Sequence, residues 1–193
     1  MSVVFNDVER LILERWTEVM GLIEAEETLQ KRLEEQIQTI ADRVGRWARP
    51  QGYEVDSAPR SAEINAWRPG WADRRRDVRV YLSVGGFYPT GFGKVETAHP
   101  YLWVYTSDKL KDSLRTELAH RLRQALGAQA KDWEAHDVDD WSPLGKYLVE
   151  YDNTFRVKLL SDTDAAFDFC AQYFPTLFSI ADIIEAELTR LLR

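Results

Sequence analysis

The feature that most constrains this chain is an apolar rhythm at helical spacing running from Asn6 to Trp47. Val8, Leu11, Ile12, Trp16, Val19, Leu22 and Ile23 begin it. Leu29, Leu33, Ile37, Ile40, Val44 and Trp47 then step by 4, 4, 3, 4 and 3, close to a heptad seam. Asn6 or Asp7 can cap the N-terminus, acids fill the first turn, and Pro50 with Gly52 stops the run. Some 40 residues at 1.5 Å each span roughly 60 Å, more than the width of a domain of this size. The helix must therefore fold back or project. Glu24-Ala-Glu-Glu27 is the candidate break, because Glu26 takes a seam position. A projecting helix with an apolar seam needs a cover, so a protein partner or a homo-oligomer through a coiled coil is expected. The expected division is residues 1–50 as a helical arm and 51–193 as an α+β domain.

After Gly52 the period changes. Ala62 to Trp67 reads as a strand. Val78, Val80, Leu82 and Val84 alternate with Arg79, Tyr81 and Ser83, the period of a half-buried strand. A further strand is expected from Gly93 to Glu96, and Tyr101 to Thr106 is aromatic and β-branched. Ser107 or Asp108 is expected to cap a helix carrying Leu110, Leu114, Leu118, Leu122 and Leu126, with Gly127 as its stop. Two short strands, Tyr147–Tyr151 and Phe155–Leu160, precede a helical region opened by Asp162 or Asp164 and divided by Pro175. The fold class is α+β: a long N-terminal helix, a central mainly antiparallel or mixed sheet, and C-terminal helices.

Charge is segregated along the 193 residues, whose net charge is −7. Residues 1–42 hold 4 basic and 10 acidic side chains, and residues 131–193 hold 6 and 13. Residues 43–80 hold nine arginines against five acids. Arginine forks suit carboxylate and phosphate alike, so this segment either neutralises the chain's own acidic helices or faces a ligand. Trp67-Arg-Pro-Gly-Trp71 places two tryptophans beside it. Trp67, Arg68, Trp71, Arg74, Arg75, Arg76 and Arg79 are thus the candidate binding surface, with Trp71 expected to be exposed. Nucleic-acid binding is expected to be weak at this net charge. No apolar run nears the roughly 18 residues of a membrane span, so no membrane partner is expected. The N-terminal residues lack a basic stretch followed by an apolar one, and Cys170 stands alone, so a cytoplasmic setting is expected.

Spacing speaks against the common catalytic patterns. Gly93-Lys94 imitates a phosphate loop, but Tyr88 stands where the first glycine belongs and Val95 where a hydroxyl should hold Mg²⁺. Gly91-x-Gly93 is followed by Glu96 where a dinucleotide fingerprint needs glycine. His99, His120 and His136 share no helical metal spacing, the acidic stretch 133–141 lacks the EF-hand order, and no G-x-S-x-G elbow occurs. Cys170, between Phe169 and Ala171, reads as core. No metal site and no cofactor is expected from these patterns.

The order helix, three strands, helix, strand resembles the αβββαβ core of the PD-(D/E)XK nuclease superfamily over residues 30–160. That family sets an acid at its second strand and an E-x-K or Q-x-K at the end of its third, where they hold Mg²⁺. Asp77, just before Val78, matches the first position, and Lys109 stands at the lysine position. Ser107 occupies the carboxylate position, so the set is incomplete. The resemblance implies a nuclease-like fold, with Mg²⁺ as cofactor and Asp77 and Lys109 as catalytic residues only if chemistry survives.

The expectation that follows is a non-enzymatic binding or adaptor protein of prokaryotic or phage type, with a nucleic-acid-processing or defence system as one setting. It would act through the helix seam and the aromatic–arginine surface. A metal-dependent nuclease or nucleic-acid-binding protein is the alternative.

Overall fold

In a computed structural model, residues 6–58, 63–72, 77, 79–86, 100–133, 141–148 and 161–192 are described. Asn6 caps the first helix, α1 (Asp7–Glu14), as a capping box: its side chain accepts from the Glu9 amide while the Glu9 carboxylate accepts from its own. The chain turns at Arg15 and continues as α2 (Trp16–Ala48). The expected break at Glu24–Glu27 does not occur. Glutamate is a good helix former, and a seam position that faces no core exacts no penalty from it. A 3-10 turn at Arg49–Gln51 and left-handed Gly52 end the helix.

Five antiparallel strands follow in chain order: β1 (Glu54–Ala58), β2 (Glu63–Trp67), β3 (Val80–Gly85), β4 (Tyr101–Thr106) and β5 (Leu144–Tyr147). The helix α3 (Asp112–Leu126) crosses between β4 and β5, and α4 (Thr163–Phe178) and α5 (Ala181–Leu191) complete the chain. Among the described residues, the helices cover one face of the sheet. Ile64, Ala66, Val80, Leu82, Val84, Leu102, Val104 and Leu144 point into a core with α2, which lies over β1 and β2, and α4, which lies over β3 and β4. Gly45 of α2 faces Val55 of β1, where a Cβ would meet that of Val55 at 3.6 Å, an ordinary van der Waals contact. Arg43 of α2 reaches Asp164 of α4 at 2.5 Å and lies 4.4 Å over the Phe167 ring. Cys170 is fully buried in this core, and burial pushes its thiol well above the usual range.

Several expectations need correction. The strand β1 (Glu54–Ala58) has no counterpart among the elements expected from sequence. α3 starts at Asp112 rather than at a Ser107 or Asp108 cap; the Ser107 hydroxyl instead accepts from the Lys109 amide and closes a turn. The competitor is Arg115, which is buried and donates to the carbonyls of Ser107 (3.2 Å) and Leu110 (2.9 Å), holding that turn out of the helix. Pro175 does not divide the last helical region: it lies inside α4, which ends one turn later at Ser179. The strands expected at Gly93–Glu96 and Phe155–Leu160 lie outside the described residues; of Tyr147–Tyr151, only Tyr147 and Leu148 are described, Tyr147 closing β5.

Candidate functional site

The helix seam divides into two parts. Leu33, Ile37, Ile40 and Val44 are buried in the chain's own core, and Trp47 is half-buried, stacked on Phe178 with centroids 5.8 Å apart. Those residues are therefore occupied. Leu29 lies beyond the core and is 55% exposed. From there back to Val8 the apolar stripe is bare. Eight of the eleven large hydrophobic residues exposed among the described residues fall between Val8 and Leu29, including Leu11, Trp16, Leu22 and Ile23. Between residues 6 and 30 that arm carries seven acids against Arg10 and Arg15.

The aromatic–arginine surface is not one surface. Trp71 is fully buried, which corrects the expectation of exposure: the 3-10 turn Pro69–Trp71 folds it under α5. Arg68 donates to Asp182 (2.7 Å), Glu185 (2.6 Å) and the Tyr53 hydroxyl (3.3 Å). Burial works against its charge, but these partners outweigh it and hold the guanidinium still more firmly protonated. At Arg68 the basic segment thus neutralises the chain's own acidic helix. Trp67 meets Tyr81 edge-on at 5.7 Å. Arg79 lends its backbone, accepting from the Ser107 amide and donating to Trp71. Arg74, Arg75 and Arg76 lie outside the described residues.

The β3–β4 register, Val80 opposite Thr106, brings Asp77 and Lys109 to the same end of the sheet. Lys109 lies 3.7 Å from Asp108. The Tyr81 hydroxyl is held above its usual range by burial, then by the charges of Asp56, Asp108 and Asp77. No group of three His, Cys, Asp or Glu side chains able to hold a metal occurs among the described residues.

A site that sequence reading missed lies on the face of the sheet opposite the helices. One row crosses all five strands: Asp56, Asn65, Ser83, Trp103 and Gly145. The next holds Gly85, Tyr101 and Tyr147. The two glycines shape it. A Cβ at Gly145 would fall 2.1 Å from the Trp103 ring, so the indole rests on the glycine. A Cβ at Gly85 would fall 2.6 Å from the Tyr101 hydroxyl. Its absence lets Tyr101 lean across β3 and donate to Glu63 of β2 at 2.5 Å. Burial raises the Glu63 carboxyl above its usual range, only partly offset by hydrogen bonds from Tyr101 and Asn65. Burial, followed by the Glu63 charge and hydrogen bond, raises the Tyr101 hydroxyl as well. A cavity of about 250 Å³ opens beside this pair, walled by Tyr101, Trp103, Tyr105 and Tyr147. The signal available in the sequence was the alternation of aromatics at 101, 103 and 105, which places all three rings on one face.

No protein-family model, no curated protein and no solved structure matches this chain.

Proposed function

We propose that this chain is a non-enzymatic binding or adaptor protein that works through protein–protein contacts made by its N-terminal arm. The observation that carries the reading is the bare apolar stripe from Val8 to Leu29. Exposed apolar area on this scale marks an interaction surface. The seven acids along it select the partner's chemistry: an amphipathic helix or groove edged with lysine and arginine. Two copies of the arm laid together would set acid against acid, so a separate partner fits better than a homo-oligomeric coiled coil. A cytoplasmic setting belongs to the same proposal; no helix among the described residues is long and apolar enough to cross a membrane.

The test uses a synthetic Leu/Lys amphipathic helix as probe. Wild type should bind it, and the triple variant Leu11→Gln, Trp16→Gln, Ile23→Gln, which keeps every charge, should lose at least tenfold in affinity while its thermal unfolding is unchanged. Equal binding by the variant would reduce the interaction to nonspecific charge and end the proposal. Sedimentation of the chain alone should give the monomer mass.

The nuclease-like reading keeps one supporting observation, the placement of Asp77 and Lys109 at one end of the sheet. Plasmid nicking with Mg²⁺ or Mn²⁺ that is lost in Asp77→Ala would favour it over the adaptor. Serine at position 107 cannot supply the anionic ligand that such chemistry needs.

A further inference from the structure

The outer-face cavity has three properties that together define a ligand class. Its walls are aromatic and steeply inclined to one another: Trp103 stands at 68° to Tyr101 with centroids 5.6 Å apart, and at 85° to Tyr147 at 6.1 Å. Among the described residues, the Glu63 carboxyl is the one charged group that lines it, with no lysine, arginine or histidine. Its volume of about 250 Å³ falls below the ~300–1,000 Å³ typical of pockets for larger ligands, so it suits one small head group. Aromatic faces attract cations through the negative potential above the ring, and a box of several rings favours an ammonium ion already stripped of hydration. A metal ion would demand several anionic or strongly donating ligands. Among the described lining residues Glu63 is the one carboxylate, it already accepts from the Tyr101 hydroxyl, and no group of three His, Cys, Asp or Glu side chains able to hold a metal occurs among the described residues.

We propose that this cavity binds a quaternary ammonium group of choline size, boxed by Tyr101, Trp103, Tyr105 and Tyr147, with Glu63 as its counter-charge. A bound cation would also offset the burial that disfavours the ionised form of Glu63, which has no positive partner among the described residues. Gly85 and Gly145 contribute by being small, since any side chain at either would push a wall ring out of place.

The experiment compares choline with 3,3-dimethylbutan-1-ol, the uncharged analogue of the same shape, by calorimetry and NMR titration of the full chain. Wild type should bind choline saturably with Kd below about 10 mM, weak but measurable on the affinity scale, and the neutral analogue at least tenfold more weakly. Glu63→Gln keeps the acceptor for Tyr101 and removes only the charge; it should lose at least tenfold. Tyr105→Leu alters a wall ring that is 42% exposed, so the fold survives, and it should lose several-fold. The proposal is overturned if choline does not bind. It is overturned equally if the neutral analogue binds as well as choline, or if Glu63→Gln, unfolding normally, retains full affinity.

Discussion

Replacing Gly145 with alanine adds one methyl group where the structure leaves no room for it. The new Cβ would lie 2.1 and 2.2 Å from Cε3 and Cζ3 of Trp103 and 2.8 Å from Cδ2. Carbon atoms pack best at about 3.5–4.0 Å, so the indole must move by more than about 1 Å. It has little freedom to do so, being 9% exposed and set between Tyr101 and Tyr147. Overpacking of this kind costs about 1–3 kcal/mol, and the stiffer unfolded chain returns about 0.4–1 kcal/mol. The backbone at Gly145 is not left-handed, so no further penalty arises. A net loss of about 1–2 kcal/mol is expected, a fall in Tm of roughly 2–8 °C at about 2–4 °C per kcal/mol. Urea unfolding of four proteins settles the cause: wild type, Gly145→Ala, Trp103→Leu and the double variant. With the indole gone the methyl group meets nothing, so the alanine penalty should largely vanish in the Trp103→Leu background. If instead the two losses add to within about 0.5 kcal/mol, the expectation for independent sites, the ring does not rest on the glycine and the account of the cavity wall is wrong.

The division of α2 predicts that Ile37→Ala, at a buried position, loses about 2–5 kcal/mol by urea unfolding, whereas Leu22→Ala, 72% exposed, changes stability by less than about 0.5 kcal/mol; equal losses would mean that the arm is packed. Arg115→Ala should cost about 3 kcal/mol, from its two buried hydrogen bonds to backbone carbonyls at about 1.5 kcal/mol each, the third, to exposed Asp112, adding little, and should also release the Trp141 ring, over which the guanidinium lies at 3.4 Å. Because the folded chain raises the Glu63 carboxyl, it binds that proton more tightly than the unfolded chain does. This contribution is complete below the ordinary carboxyl value and is lost as pH rises through the folded one. The Tm of Glu63→Gln relative to wild type should therefore climb across that window and level off above it; a pH-independent difference would contradict the burial argument. With Arg68 already paired to Asp182 and Glu185, duplex DNA should show no gel shift at 200 mM salt, and retention there would reopen a phosphate-binding role for the arginine segment.

Local rules read some of this fold and not the rest. Tyr101–Thr106 is a strand from end to end, as its β-branched and aromatic residues require, and Asn6 caps its helix. β1 was invisible because Glu54-Val-Asp-Ser-Ala58 has little strand preference of its own; it is held by pairing with β2 and by the packing of α2 upon it. Trp71 misled because its charged neighbours in sequence are not its neighbours in space. The heptad pattern revealed a seam but could not say that the core stops near Leu33. Glu63 and Tyr101 are 38 positions apart, and only the strand register shows that a glycine clears the way between them.

The order of the strands has a further consequence during synthesis. With β1 to β4 laid down in sequence, the first four strands are complete at Thr106, and α2 is already available to cover β1 and β2. The cover for β3 and β4 is α4, which ends at Phe178, roughly 70 residues later. At about 5–20 residues per second a ribosome needs some 4–14 s to supply it. Through that interval Val80, Leu82, Val84, Leu102 and Val104 have no lid, and a chain stalled before Thr163 would present all five to whichever chaperone or neighbouring nascent chain arrives first.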